Sequence, residues 1–257
     1  MNSPTNRKEK ICLLLKGIEI GDAEAAEVVN AEKYIQHNPQ TKEGGEGLAA
    51  LFKRLSKTSP RVNVVRIFED GDYIFGHTEY EFSTSRIGFE VFRFEGDQAV
   101  EHWDNIQSRK GPNPSGHTMV DGATIVEDHK NTESNRSLVQ SFITEVLIKR
   151  ELGLLEDYVH SQNFIEHNPR ISDGIVALKS EFSSTLENGN FLIEYNKVHR
   201  VLAEGGFVLS VSEGNFSGIH SSFYDLFRVE KGKIIEHWDT REIVLPREQW
   251  ENDNGKF

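Results

Sequence analysis

The sequence predicts an α+β protein made of two tandem domains, each with N-terminal helices followed by antiparallel strands. Three observations carry this prediction: phrases that recur at a near-constant offset, helix-period apolar residues opening each repeat, and strand-period residues closing it. Glu101-His102-Trp103-Asp104 returns 135 positions later as Glu236-His237-Trp238-Asp239. Glu90-Val91-Phe92-Arg93 returns at the same offset as Asp225-Leu226-Phe227-Arg228. Tyr34-Ile35-Gln36-His37-Asn38-Pro39 returns 130 positions on as Phe164-Ile165-Glu166-His167-Asn168-Pro169. Two long units in the same order indicate a duplicated domain. The expected partition is 1–108 for the first domain, 109–131 for a linker and 132–257 for the second.

The elements follow in order. Ile11, Leu14, Leu15 and Ile18 recur at helical spacing, and Asp22 is placed to cap a short second helix through Ala25, Ala26 and Val29. A helix is expected to end at or before Asn38, because Pro39 disfavours the α region for its predecessor. Gly44-Gly45 reads as a turn, and Leu48, Leu51, Phe52 and Leu55 mark another amphipathic helix. After Pro60 the residues become β-branched and aromatic, predicting strands at 62–68, 73–82, 87–94 and 99–107. The linker is turn-rich from Gly111 to Gly116, and 118–127 reads as a small hairpin or an extended strap. Thr132 is a cap for a helix carrying Val139, Phe142, Ile143, Val146 and Leu147. A short helix over 154–159, a third helix from Ile175 to Leu186 and strands at 193–203, 207–216, 221–229 and 234–243 repeat the plan. The polar tail from Pro246 is expected to fray except where Trp250 docks.

Composition narrows the function classes. At 257 residues, with 37% hydrophobic content, the chain supports two modest cores. It has no apolar run long enough to span a bilayer, and Met1 to Lys10 lacks an apolar signal core. Cys12 is the single cysteine, so no internal disulfide forms, and a reducing, cytoplasmic location is expected. A net charge of −12 argues against nucleic-acid or anionic-membrane partners, which require a basic face.

The repeated phrases carry the candidate chemistry. Alternation along a strand puts His102 with Asp104, and His237 with Asp239, on one face, with the tryptophans on the other. A three-residue hairpin loop, Lys231-Gly232-Lys233 in one repeat and Gly96-Asp97-Gln98 in the other, sets Asp225 opposite Asp239 and Glu90 opposite Asp104. Two carboxyls side by side in a cavity do not both ionise cheaply, which suits a general acid or base; on an exposed face they would be only a hydrated surface. His37 and His167, at expected helix ends, either orient a carboxylate or substrate oxygen or hold the turn. His37, His77, His102 and Asp104 are of metal-ligating types, but no short zinc-like spacing is present and Val211 stands where the second repeat would carry His77. No metal is therefore expected.

The order helix, His-Asn-Pro, amphipathic helix and strands ending in Glu-His-Trp-Asp resembles SnoaL-like proteins, relatives of polyketide cyclases within the nuclear transport factor 2-like superfamily. The resemblance spans roughly residues 9–108 and 134–243. It implies two tandem cone-shaped α+β domains, each with N-terminal helices packed on a curved antiparallel sheet and a pocket at the open end, and chemistry without metal or organic cofactor. By motif, Asp104 and Asp239 match the general base, with His102 and His237 beside them as catalytic partners. His37, His77, Glu90, His167 and Asp225 are expected to line the substrate pocket. The implied function is aldol-type cyclase, lyase or isomerase chemistry on a small enolisable carbonyl compound; the alternative is a non-catalytic small-molecule binding or structural module. The tandem arrangement implies an internal pseudo-dimer, and hence a monomer or weak homodimer.

Overall fold

The computed structural model describes residues 6–22 and 24–257; the first five residues of the polar opening stretch lie outside the described part. The chain divides into two compact units, one of residues up to Arg109 with Leu245–Phe257, the other of Lys110–Val244.

In the first unit, α1 (Arg7–Gly17) begins in a reciprocal cap: Glu9 N donates to Asn6 Oδ1 at 2.9 Å, and Asn6 N donates to Glu9 Oε2 at 3.1 Å. Its stripe of Ile11, Leu14, Leu15 and Ile18 is buried. Asp22 accepts from Glu24 N ahead of a single 3₁₀ turn, Ala25–Val28. Then come β1 (Ile35–Gln36), α2 (Gly44–Leu55), β2 (Arg61–Asp70), β3 (Tyr73–Glu81), β4 (Ser85–Glu95) and β5 (Gln98–Ser108). The sheet order is β1-β5-β4-β3-β2, antiparallel except that β1 runs parallel to β5.

The second unit repeats this plan. α3 (Thr132–Phe142) continues into a π-helical turn, Ile143–Ile148, followed by α4 (Leu155–Tyr158), β6 (Ile165–Glu166) and α5 (Ile175–Ser183). The strands β7 (Ile193–Glu204), β8 (Phe207–Phe216), β9 (Ile219–Glu230) and β10 (Lys233–Ile243) form the sheet β6-β10-β9-β8-β7. Each unit is thus the α+β arrangement that the repeats predict. Bulges at Val64/Arg66 in β2 and at two places in β7 bend the outer strands. The helices cover the sheet face that carries Ile74 and Phe92 in one unit, and Phe223 and Phe227 in the other. Burial of each such side chain contributes about 1.5–3 kcal/mol, so these cores fix which face of each sheet turns inward.

Three local expectations are corrected. Asp225 does face Asp239 and Glu90 does face Asp104, but through two-residue turns. Glu95 pairs with Gln98 and Lys233 with Glu230, and a bulge in each hairpin then restores the register. The turns have positive φ at Gly96, Lys231 and Gly232, the backbone that tight hairpins require. Secondly, the His-Asn-Pro phrases end no helix. Ile35–Gln36 and Ile165–Glu166 are short parallel strands on β5 and β10. Thirdly, the tail is anchored. Asn252 Nδ2 donates to Asn38 O (2.7 Å) and Thr41 O (2.9 Å), and Lys256 is buried. Residues 110–131 group with the second unit, where Asn113 Nδ2 donates to Glu166 O (2.7 Å) and Ile171 O (2.9 Å).

Candidate active sites

In the first unit the inward face of β4 and β5 gathers Glu90, His102 and Asp104, all buried. His102 is held between two acceptors, Glu90 Oε2 at 2.8 Å from Nε2 and Gln36 Oε1 at 3.0 Å from Nδ1. Tyr80 donates its hydroxyl to Glu90 Oε1 at 2.7 Å. Asp104 accepts from Asn38 Nδ2 at 2.7 Å on one oxygen and faces Lys256 Nζ at 3.3 Å on the other. That ammonium also donates to the Asp104 carbonyl at 2.7 Å. Glycine makes the room: a Cβ at Gly88 would lie 2.6 Å from both Tyr80 Cε2 and Glu90 Oε1.

The second unit builds the same constellation with different parts. His237 lies between Glu166 (2.9 and 3.0 Å from Nδ1) and Asp225 (3.2 Å from Nε2). Asn168 Nδ2 donates to Asp239 Oδ2 at 2.8 Å, and Tyr195 donates to Asp225 Oδ1 at 3.0 Å. The tyrosine has changed strands. Phe223 stands where the first repeat has Gly88, and Gly214 stands where it has Tyr80. Tyr195 pairs with Gly214 from β7 and lies 4.7 Å from the Phe223 ring centroid. A bulky residue at the old glycine position is thus compensated by a glycine at the old tyrosine position.

Charge distinguishes the two sites, because Glu166 replaces Gln36. Burial alone would lower the His237 pKa, but Glu166 and Asp225 override it and hold the group well above its ordinary value, so the imidazole is cationic at neutral pH. Asp239 is raised to about 6, chiefly by burial; His237 opposes the rise, and Glu166 and Asp225 add to it. The residue as a whole keeps partial exposure, while its Oδ1 is sealed from solvent. Burial and the neighbouring carboxylates also push the Tyr34, Tyr80 and Tyr195 phenols well above the ordinary range, leaving them protonated.

A small cavity opens beside Asp225 and His237, walled by Phe142, Phe182, Tyr195 and Phe227. Its volume is about 10 Å³, about what a single water occupies. Asp225 Oδ2 is buried there with no hydrogen-bond partner among the described residues, an open valence of the kind that functional sites retain.

Three of the expected pocket residues lie elsewhere. His37 and His167 follow the two-residue strands, so alternation turns them to the opposite face. There His37 stacks on Trp103 (4.6 Å) and meets Glu101 at 2.9 Å, and His167 stacks on Trp238 (4.6 Å) and meets Glu236 at 3.0 Å. Arg93 and Arg228 complete these chains at 2.7 and 2.6 Å. His77 is also on the outer face, 2.6 Å from Arg66 and packed on Phe89. The residues that do join the acids and were not anticipated are Gln36, Asn38, Glu166, Asn168, Tyr80, Tyr195 and Lys256. Reading the His-Asn-Pro phrase with strand alternation would have found the first four; the tyrosines and the lysine come from distant sequence.

Glu90, His102 and Asp104 bring their ligand-type atoms within 4.8 Å of one another, as do His117, Asp121 and His167. In the first group the Lys256 ammonium beside Asp104 opposes a second cation, and both His102 nitrogens are already engaged. Among the described residues no helix is long and apolar enough to cross a membrane.

No protein-family model and no curated protein matches the chain. Solved structures similar to it are NTF2-like, polyketide cyclase-like and ketosteroid isomerase-like proteins. TsrD from Streptomyces laurentii is 16% identical over 42% of this chain and 92% of its own, with a TM-score of 0.36. IdmH from Streptomyces antibioticus, a candidate polyketide cyclase, is 18% identical over 38% and 90%, with a TM-score of 0.35. An NTF2-like protein of unknown function from Cytophaga hutchinsonii is 12% identical over 42% and 95%, with a TM-score of 0.36. This likeness assigns no chemistry to particular residues.

Proposed function

We propose that the second unit is a cofactor-independent acid/base catalyst acting on a small enolisable carbonyl compound. The observation that carries this reading is Asp239, raised to about 6 by burial beside the His237 cation. Such a carboxyl is ionised at neutral pH yet more basic than an ordinary aspartate, as proton abstraction beside a carbonyl requires. Asp239 takes the C–H proton and returns it to the same carbon, in exchange, or to a neighbouring one, in isomerisation, so no co-reactant is consumed. His237 spends both ring nitrogens on Glu166 and Asp225. Its role is therefore electrostatic, lowering the energy of negative charge that develops on the enolate. The first unit is the structural half: both Asp104 oxygens are already met, one by Asn38 and one by Lys256.

The size of the cavity favours a second reading, a binding or structural module. At about 10 Å³ between aromatic walls, it admits a substrate only if the walls move. Hydrogen–deuterium exchange on a panel of ketones and β-keto esters, followed by proton NMR, tests the two. The catalytic reading expects exchange that rises through pH about 6 and is lost in Asp239→Asn but kept in Asp104→Asn. Exchange at the uncatalysed rate for the whole panel would leave the module reading in its place.

A further inference from the structure

Two arginines lie at the outer end of the second site. Asn168, which binds Asp239, is followed two residues on by Arg170; Asp239 is followed two residues on by Arg241, on the same face of β10. Both guanidiniums pack on one ring: Arg170 Cζ lies 4.6 Å and Arg241 Cζ 3.1 Å from the Phe216 centroid. Arg170 pairs with Glu181. Arg241 is half-buried, and its pKa is lowered first by burial and then by repulsion from Arg170, with Asp239, Tyr195 and Glu181 opposing. The two guanidiniums repel each other; Glu181 offsets this at Arg170, and a ligand carboxylate bridging both arginines would relieve it further. The first repeat has Gln40 and Ile106 at these positions, so the pair belongs to the unit whose aspartate is raised.

From this geometry we infer that the second site takes an anionic substrate, a short keto acid whose carboxylate is gripped by Arg241 and Arg170 while its acidic C–H faces Asp239. The inference rests on the proposed catalytic reading for the word substrate; the anion grip stands on the arginines alone. One strand repeat separates Asp239 from Arg241, about 7 Å, which suits a carboxylate two or three carbons from the reacting carbon. A neutral ester of the same acid would lose the guanidinium contacts.

The test uses the whole 257-residue chain with 4-oxopentanoate and its methyl ester. Binding is read from NMR shifts of the Phe216 ring and the arginine Nε–H groups, and turnover from deuterium exchange. Saturable binding of the acid, weaker by about tenfold or more for the ester and for both Arg241→Gln and Arg170→Gln, supports the anion site. Glu181→Gln, which removes the competing carboxylate, should tighten it. Binding without exchange would keep the anion site and sink the catalytic reading. Equal handling of acid and ester, unaffected by either arginine variant, or no binding of the acid, overturns the inference; in the first case the catalytic reading survives. The exposed Arg170 provides a variant that tests the idea even if loss of Arg241 disturbs folding.

Discussion

Asp239→Asn is expected to stabilise the second unit at neutral pH and leave it almost unchanged in acid. The Asp239 carboxyl titrates at about 6 in the folded unit against an ordinary 3.8, because burial outweighs the attraction of His237 while Glu166 and Asp225 repel. The folded state therefore holds this proton more tightly than the unfolded chain does. The corresponding stabilisation is complete below pH about 4, declines between about 4 and 6, and is absent above. A displacement of about two pH units corresponds to about 3 kcal/mol. The partial exposure of Asp239 makes that an upper bound, and a gain of about 1–3 kcal/mol at pH 8 is expected for the variant. Asparagine keeps an acceptor for Asn168 Nδ2, which lies 2.8 Å from Oδ2, so the local hydrogen bond need not be lost. Because the two units need not unfold together, the assay is hydrogen exchange of the β9 and β10 amides from pH 4 to 8. A gain of equal size at both ends, or a loss at pH 8, would refute the electrostatic argument.

Further outcomes concern the neighbours of these acids. Glu166→Gln recreates the Gln36 arrangement and removes the leading contribution that raises His237; its imidazole should titrate at lower pH by nitrogen-15 NMR, and an unchanged curve would show that Asp225 alone suffices. Lys256→Met leaves the buried Asp104 without its cation and should cost the first unit about 3–5 kcal/mol, much of it recovered in Asp104→Asn/Lys256→Met. Equal losses in the single and double variants would mean that the tail is held by packing and not by this pair. Gly88→Ala forces a Cβ to within 2.6 Å of Tyr80 and Glu90 and should destabilise the first unit by about 1–3 kcal/mol, with shifted Tyr80 ring resonances; an unperturbed ring would show that the pair has slack.

The amino-acid sequence alone carries the duplication, the α+β class, the four long strands of each unit and the carboxyl pairs Glu90–Asp104 and Asp225–Asp239. These follow from local periodicity and from repeated phrases, which survive in one dimension. It also placed His102 and His237 on the same face as their aspartates, because alternation along a strand is a local rule. It misplaced His37 and His167, since a two-residue parallel strand carries too little periodicity to be distinguished from a helix end, and a one-residue error of phase reverses the face. His77 went wrong for a related reason: its residue type suggested a ligand, but its register partner is Phe89, on the outer face. Packing between distant segments set the rest. The exchange of Tyr80 for Tyr195 depends on which cross-strand neighbour leaves space. The arrival of Lys256 beside Asp104 depends on a tail 152 residues away in sequence, and the different character of the two sites depends on which charges are buried together, Lys256 with Asp104 in one and Glu166 with His237 in the other. Contacts between distant segments are selected by packing and desolvation, which no local pattern encodes, and here they turn two copies of one phrase into two different sites.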